Sequence, residues 1–314
     1  MKLSIATAAE KRERDLLAYE DWGQKLTPEQ FVGAEEKQRE HAWSKSGMTT
    51  WLLREEGPEV LASCETYRMN AVVRANGRTT RGIVFGVASV FVESRLRGRG
   101  LATRLMSALE RTLVEQEPGA LASVLFSDVG PDLYSRVGYV PRPAVDVLFD
   151  AHPGSPEAEV DRLLSEKEVA AELESCRPPD EGFIIWPSAA QLDWHIERER
   201  IYAGLLGHQR PEFHGAVAGS SRAFWAADLK SDQLLVLLLD ARTPDEAEAL
   251  LRCAGRVAHR AGLQEVVVWE SPLPFSWPGS QARRVERESV PMIRPLNANV
   301  HPDSWTLIPR GIWV

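Results

Sequence analysis

The sequence is poor in cysteine and has no excess of positive charge. Its 314 residues include only Cys64, Cys176 and Cys253, too few for a disulfide framework. No C-x-x-C or H-E-x-x-H spacing occurs, so neither a structural nor a catalytic metal site is expected. The formal net charge of −8 disfavours a general nucleic-acid binder.

Long apolar runs are also missing. The most apolar stretches, Val84–Val92 and Leu234–Leu239, are far shorter than the roughly 20 residues that span a bilayer. The N-terminal stretch becomes charged from Glu10 onward, too soon for a secretory signal peptide. Apolar residues make up 44% and charged residues 26% of the chain, as in soluble globular proteins. We therefore expect a cytoplasmic protein with no membrane partner, and its length favours two domains.

Strand and helix signals alternate along the chain, which predicts the α/β class with a mixed (α+β) sheet. A buried-type strand over residues 81–92 is followed by a glycine-rich loop and a helix over residues 101–115. Leucines recur every four residues from Leu101 to Leu113 and form one apolar face of that helix. A second short strand is predicted over residues 121–126, after the helix.

The segment His152–Pro156 is the clearest break in composition and predicts two domains, residues 1–150 and 151–314. The second half carries a strand over residues 234–239, a helix over 245–259 and a strand over 265–269. This order repeats that of the first half and fits a degenerate duplicate, although any two α/β units share it. Further helices are predicted over residues 159–173 and 188–206, and a further strand over 291–294.

The loop from Arg95 to Gly100 has the features of an anion site. Gly98 and Gly100 let the backbone approach a phosphate closely. The free N–H groups of the following helix's first turn point at such an anion. Positive charge comes from Arg95, Arg97 and Arg99. A tight turn with solvated arginines is the alternative, and the flanking strand and helix favour the phosphate site.

Two motifs carry a resemblance to a known family. Arg95-x-x-Gly98-x-Gly100-x-Ala102 and Leu133-Tyr134-x-x-x-Gly138-Tyr139 resemble the pyrophosphate loop and the Leu-Tyr-x-x-x-Gly-Phe element of the GNAT superfamily of acetyl-CoA-dependent N-acetyltransferases. The resemblance covers most of residues 1–150. It implies a GNAT-like N-terminal domain, acetyl-CoA as cosubstrate, and contacts to that cosubstrate from Val90, Phe91, Val92, Arg95, Arg97, Gly98, Arg99, Gly100, Leu101, Ala102 and Tyr134.

A narrower resemblance rests on Leu61–Glu65, Ala88–Phe91 and Phe126–Pro131. These stretches are similar to the fungal lysine N6-acetyltransferases of lysine catabolism, which also carry a C-terminal domain of this size. The resemblance implies a small-molecule amine as acceptor, with lysine or a related amino acid favoured. An antibiotic or biosynthetic amine is an alternative acceptor, and a coenzyme A-binding regulatory module without turnover is an alternative of another class.

The sequence departs from the family at two places. Many superfamily members have an asparagine at the position of Ser127, so the role of that asparagine is open here. In the second half, Asp245 and Glu246 stand where a phosphate loop would need glycines, and their charges would repel a diphosphate. If that half is a duplicate, it should not bind coenzyme A.

Acetyl transfer to an amine requires a neutral amine and a proton for the departing thiolate. A lysine amine has a pKa of ~10.4, so only about one molecule in a few thousand is neutral at pH 7, a deficit of roughly 4–5 kcal/mol. A base or a desolvating acidic pocket is therefore expected. The resemblance places the Tyr134 hydroxyl near the sulfur as general acid, with a packing tyrosine as the alternative. A backbone N–H of the strand ending at Val92 would hold the carbonyl oxygen.

Three residues are candidates for the base. Glu65 lies on a predicted strand next to the central one, Asp128 lies at a strand end, and His195 lies on a helix of the second half. In the alternatives, Glu65 faces solvent, Asp128 caps the following helix and His195 is a hydrogen-bonded interdomain residue. The helix with His195 also carries Trp194 and Arg198, and we expect the second half to form part of the acceptor pocket. The sequence predicts no particular oligomeric state.

Overall fold

The computed structural model describes residues 2–270 and 282–313, which form two compact units that interleave along the sequence. The first unit contains the described residues up to Pro143, together with Asp180–Ile185 and Glu288–Trp305. The second contains Ala144–Pro179 and the remaining described residues. The units are thus discontinuous in sequence, whereas the domains predicted from the sequence are continuous.

The helices of the described residues are α1 (Ala8–Trp22), α2 (Pro28–Glu40), α3 (Ala42–Gly47), α4 (Leu101–Gln116), α5 (Asp132–Ser135), α6 (Glu166–Leu173), α7 (Ala189–Leu206) and α8 (Pro244–Arg260). None of these helices combines the length and the apolar character needed to cross a membrane.

The strands of the described residues are β1 (Lys2–Ile5), β2 (Met48–Arg54), β3 (Val60–Ala75), β4 (Arg78–Phe91), β5 (Ala122–Ser127), β6 (Val140–Pro141), β7 (Val145–Asp150), β8 (Arg162–Leu164), β9 (Gly182–Ile185), β10 (Gly215–Ala218), β11 (Ser221–Asp228), β12 (Gln233–Asp240), β13 (Glu265–Trp269), β14 (Arg283–Glu286) and β15 (Val290–Pro295).

One predicted helix is partly wrong. Residues 159–173 were expected to be helical throughout, but β8 occupies Arg162–Leu164 and only Glu166–Leu173 is helical. The Ser165 side chain and Glu168 form a capping box, which starts α6 at that point. The residues before it pair with β10 instead.

The sheet of the first unit has the order β1-β2-β3-β4-β5-β15-β6, with β9 also paired to β3. Neighbouring strands are antiparallel except β4 and β5, which are parallel and joined by α4. The turn between β3 and β4 is tight because Asn76 and Gly77 both adopt positive φ, 51° and 70°. The predicted leucine face of α4, from Leu101 to Leu113, is buried against the sheet, as expected.

The two parallel strands separate near their carboxyl ends. β4 pairs with β5 from Val84 to Val87 and then continues to Phe91 without a partner on that side. On its other side, β4 forms a bulge opposite β3, and Ser89 in this bulge has a φ of 52°. The separation leaves one edge of β4 without a strand partner, and the glycine-rich loop follows directly.

The second unit repeats this arrangement. Its sheet has the order β14-β7-β13-β12-β11-β10-β8, in which β12 and β13 are parallel and joined by α8. β12 also carries a bulge, opposite Phe224 and Trp225. The α/β class with mixed sheets is therefore confirmed for both units.

Each sheet contains strands from the other half of the sequence, β9 and β15 in the first unit and β7 in the second. β15 pairs with β5 along six residues, and its Met292 and Ile293 are fully buried in the first unit. β7 pairs with β13 along five residues in the second unit. Neither residues 1–150 nor residues 151–314 therefore contain a complete sheet.

Candidate active site

A cavity of about 640 Å³ opens in the first unit where β4 continues beyond β5. The end of β4, the glycine-rich loop, the start of α4 and α5 line it. It brings together most of the residues predicted to contact acetyl-CoA, namely Val90, Phe91, Val92, Arg97, Gly98, Gly100, Leu101, Ala102 and Tyr134.

The glycine-rich loop has the conformation that an anion site requires. Gly98 and Gly100 have φ of 78° and 71°, in the left-handed region that favours glycine. No side chain caps α4, whose N-cap is Gly100, so no side chain satisfies the N–H groups of its first turn. The first turn of α4 lines the cavity, and its free N–H groups and the positive end of the helix dipole suit a diphosphate.

The three arginines of the loop differ in their surroundings. Arg97 lines the cavity, where its Nε donates to the Val92 carbonyl at 2.9 Å and a terminal nitrogen lies 2.5 Å from Asp21. Arg95 instead forms ion pairs with two glutamates outside the cavity lining. Arg99 is exposed and has no ion-pair partner among the described residues.

Sequence reasoning missed several residues of the cavity wall. Asp21 and Trp22 reach it from the end of α1, and Arg136 reaches it from the segment after α5. The signal for Arg136 lay inside the Leu-Tyr-x-x-x-Gly-Tyr motif, where it is an arginine two residues after Tyr134. Nothing local in the sequence indicates that α1 ends beside this loop.

Tyr134 lies on α5, is 7% exposed and lines the cavity. The ring packs edge-on against Tyr139, with the centroids 6.1 Å apart. Among the described residues, its hydroxyl has no hydrogen-bond partner. Burial, together with Cys64 and Asp128, raises the pKa of Tyr134 to about 12. The phenol is therefore protonated at neutral pH and can donate to a group in the cavity.

Glu65 does not face solvent. It is 2% exposed, and its Oε1 lies 3.0 Å from Nη1 of Arg14 and 3.4 Å from Nη2 of Arg39. Burial alone would raise the pKa of Glu65, but the two guanidinium groups outweigh it and hold the pKa below its usual value. A carboxylate in this environment is a weak base, and the arrangement favours a role in fixing its neighbours.

Asp128 is exposed and directly follows β5. Desolvation, and then the charge of Glu288, raise the pKa of Asp128. The interpretation that Asp128 caps the next helix is wrong, because α5 has no side-chain cap. Ser127, at the family's asparagine position, donates to the Gly130 carbonyl at 2.5 Å and shapes the turn that leads to Tyr134.

His195 lies on α7 in the second unit and is buried. Its Nε2 is 3.3 Å from the carbonyl oxygen of Gly311 in the same unit. Burial, followed by the charges of Arg310 and Arg198, lowers the pKa of His195 well below 6.5. The imidazole is therefore neutral and hydrogen-bonded within its own unit.

A second cavity of about 360 Å³ lies in the first unit beside α1 and the hairpin of β2 and β3. Phe91 lines both this cavity and the larger one. Carboxylates and guanidinium groups share its wall, namely Glu10, Glu13, Glu59 and Glu93 with Arg14, Arg54 and Arg95. Glu13 differs from the other glutamates because it has no ion-pair partner among the described residues. Across residues 2–270 and 282–313, no group of three or more His, Cys, Asp or Glu side chains is placed to hold a metal ion.

Two family models match this chain. Residues 16–139 match the Acetyltransferase (GNAT) family, and residues 156–304 match the LYC1 GNAT-like C-terminal domain. The chain therefore combines a GNAT acetyltransferase domain with a GNAT-like C-terminal domain. As a GNAT acetyltransferase it is an acyltransferase enzyme, and its second unit is GNAT-like, as the repeated sheet arrangement indicates.

Individual relatives are distant from this GNAT acetyltransferase. A lysine acetyltransferase from Yarrowia lipolytica is 20% identical over 327 residues, covering 85% of this chain and 83% of the relative. A GCN5-related N-acetyltransferase structure from Kribbella flavida has a TM-score of 0.53 at 20% identity, covering 95% of this chain and 73% of its own. A probable N-acyltransferase from Enterococcus faecalis V583 has a TM-score of 0.59 at 14% identity, and the match covers 94% of this chain and 72% of that structure's chain. The two structures share the fold.

Proposed function

We propose that the protein transfers the acetyl group of acetyl-CoA to the amine of a small molecule, lysine or a related amino acid being the favoured acceptor. One observation carries the proposal. A single cavity joins the uncapped N-terminus of α4, with its two left-handed glycines, to the protonated hydroxyl of Tyr134. The name of the Yarrowia relative supports lysine as the acceptor, at 20% identity.

In such a transfer, different residues of the larger cavity bind the diphosphate, stabilise the carbonyl oxygen and supply a proton. The N–H groups that follow Gly98 and Gly100 hold the diphosphate, and Arg97 adds positive charge. Acetyl-CoA supplies the acyl group as a thioester when bound. The backbone N–H of Val90, beyond the last pairing with β5, donates to the thioester carbonyl oxygen as negative charge develops on that oxygen. As the amine nitrogen bonds to the acetyl carbon and the carbon–sulfur bond breaks, the Tyr134 hydroxyl gives its proton to the departing sulfur. The proton that the amine nitrogen loses restores the phenol by way of solvent.

The smaller cavity is our proposed acceptor site. It adjoins the larger cavity through Phe91, so an acceptor bound there is next to the end of β4. Its wall carries charges of both signs, which suits a molecule that has both an ammonium and a carboxylate group. Since Glu13 has no ion pair of its own, its carboxylate is the one we expect to bind the acceptor ammonium.

The test is an acceptor panel. Purified protein with acetyl-CoA is offered lysine, ornithine, simple diamines and aminated antibiotics, while thiol release and the mass of the product are followed. We expect lysine-type amino acids to give the highest kcat/KM and a product heavier by one acetyl group. If an antibiotic is preferred, the acceptor assignment is wrong. If no amine is acetylated, the function itself is wrong.

The acceptor site is tested in the same assay with Glu13→Gln. Loss of one charged hydrogen bond should raise the KM for lysine about tenfold and leave the KM for acetyl-CoA unchanged. Glu20→Gln is the matched control, because Glu20 is exposed on the same helix and lines neither cavity. An equal KM for lysine in the two variants would contradict the acceptor site.

A further inference from the structure

A cluster of charged side chains is buried behind the bulge of β4. Arg14 and Asp15 of α1 and Glu65 of β3 are 5%, 1% and 2% exposed. Charged residues are seldom buried this deeply unless their partners are fixed, because leaving water is costly. None of the three is assigned a step in the transfer, so the cluster needs another explanation.

Arg14 is the centre of the cluster and binds both strands that form the bulge. Its Nε donates to the Ser63 hydroxyl at 3.3 Å, and its Nη1 donates to Glu65 at 3.0 Å. Both partners lie on β3. Its Nη2 donates to the backbone carbonyl of Ser89, on β4, at 3.0 Å. The rigid fork of the guanidinium group makes these three bonds at once, which an ammonium group would not do.

Ser89 needs to be held in place. Its φ of 52° lies in the left-handed region, which is strained for a residue with a Cβ. Such a conformation persists only where the surroundings fix it. The hydrogen bond from Arg14 to the Ser89 carbonyl oxygen fixes one side of Ser89. The next residue, Val90, lines the larger cavity.

Arg14 is itself held by neighbours on its own helix, one of which is tied to α2. Asp15 accepts from Nη1 of Arg14 at 3.2 Å and also binds both terminal nitrogens of Arg39, on α2, at 2.5 and 2.7 Å. The guanidinium group of Arg14 also lies 5.7 Å from the centre of the Trp22 ring, which lines the larger cavity. The group therefore has little freedom to move.

We propose that Arg14 is a positioning residue, which holds Ser89 in its left-handed conformation and so aims the Val90 N–H at the thioester carbonyl oxygen. The inference rests on the proposed function for the identity of the reacting group. It assigns to the buried cluster the task of preorganising the bulge, so that Arg14, although it lines the smaller cavity, acts on the reacting atoms only through Ser89.

The main test compares Arg14→Lys with the wild type. Lysine keeps the positive charge beside Glu65 but lacks the planar guanidinium group, so the hydrogen bond that holds the Ser89 carbonyl is lost. We expect kcat to fall 10- to 100-fold, because small displacements of a catalytic group have effects of that size, while the KM for acetyl-CoA changes less than threefold. Amide hydrogen exchange in a peptide covering residues 85–92 should become faster in the protein without acetyl-CoA.

Arg12→Lys is the matched control. Arg12 lies on the same helix, two residues away, and pairs with Glu36 at the surface. Its replacement should leave kcat and the exchange of residues 85–92 unchanged. If R14K matches R12K in both measurements, the proposal is overturned.

Ser89→Gly separates positioning from simple stabilisation. Glycine adopts positive φ without strain, so the bulge depends less on the hydrogen bond from Arg14 when glycine replaces Ser89. The loss of kcat caused by R14K should therefore be at least threefold smaller in an S89G background, and an R14K protein that folds only in that background also supports the proposal. An equal loss in both backgrounds, or misfolding in both, overturns it. If the wild type acetylates no amine, the proposed function fails, and hydrogen exchange alone then decides whether Arg14 holds the bulge.

Discussion

At the scale of single residues, Tyr134 connects the sequence motif to the chemistry. The motif places it after a turn shaped by Ser127, and burial in the cavity wall raises its pKa to about 12. An acid must be protonated to act, and a pKa raised this far keeps the phenol protonated throughout the range in which enzymes are assayed. The pH dependence of the reaction should therefore come from the acceptor amine.

This reasoning predicts a rising pH profile. For a lysine-type acceptor, kcat/KM should increase up to about tenfold per pH unit from pH 7 toward pH 9, because the neutral fraction of an amine with a pKa of ~10.4 increases at that rate. No descending limb due to Tyr134 should occur below pH 10. A decline between pH 8 and 10 that disappears in Tyr134→Phe would show that the phenol is a much stronger acid in the working enzyme.

The same variant measures the contribution of the hydroxyl. Tyr134→Phe should lower kcat by about 10² or more, the usual size of a general-acid effect, while the KM for acetyl-CoA changes little. Tyr139→Phe is the control, since that hydroxyl donates to the buried Glu110. It should lower stability and leave kcat near that of the wild type.

Residues whose partners are close in sequence could be predicted, and residues with distant partners could not. Gly98, Gly100 and Tyr134 lie in short motifs, and the cavity contains all three. Glu65 was identified as a candidate base because its strand was recognised. Its environment depends on Arg14, 51 residues away, and on Arg39, 26 residues away. Local patterns carry no information about such contacts.

At the scale of elements, the unit of strand, glycine loop and helix was predictable because each part has its own signal. The apolar strand, the paired glycines and the four-residue leucine repeat agree with one another. β8 and β7 were missed because three to six residues with charged neighbours give too weak a pattern. Their strand identity comes from pairing with β10 and β13.

The glycine loop gives a prediction at this scale, with a matched control in the chain. Gly100 and Gly77 have φ of 71° and 70°, and among the described residues a methyl group added at either would meet no atom within 4 Å beyond the adjacent residues. Replacement by alanine should cost each variant about 1–2 kcal/mol of stability, measured by denaturant unfolding. Only Gly100→Ala should weaken coenzyme A binding, by about tenfold or more in calorimetry, because its methyl group lies where the phosphate approaches. Equal affinities in the two variants would contradict the phosphate site.

At the scale of the whole molecule, the two units share an arrangement and differ at the point where a cofactor would bind. Both have a parallel strand pair joined by a helix, with a bulge in the first strand of the pair. In the second unit, Glu246 at the start of α8 accepts hydrogen bonds from Ser220 and Ser221. A methyl group added at Gly311 would also lie 3.1 Å from the Leu237 carbonyl oxygen, so the segment with Gly311 packs closely at the bulge of β12. The Glu246 carboxylate and the segment with Gly311 occupy the positions that correspond to the glycine loop and the cavity of the first unit. This is in keeping with a duplicate that has lost the phosphate loop.

The strand pairing leads to a prediction about the separated halves. A protein of residues 1–150 lacks β9 and β15, so β3 and β5 each lose a strand partner. It also lacks Trp305, which packs against Phe126. Residues 151–314 lack β7, which leaves β13 unpaired on one side. An unpaired central strand exposes backbone groups and apolar surface, so each half alone should be insoluble or melt without cooperativity.

Co-expressed, the two halves should form one soluble complex, because the pairings do not depend on the peptide bond between them. A tag on one half should then retain the other, and circular dichroism should show a single cooperative transition. The control is a protease site inserted at Gly154 in the exposed loop after β7, where cutting the folded chain should leave that transition nearly unchanged. A soluble fragment of residues 1–150 that unfolds cooperatively and binds coenzyme A by itself would show that β15 is dispensable, and the first unit would then be an independent domain.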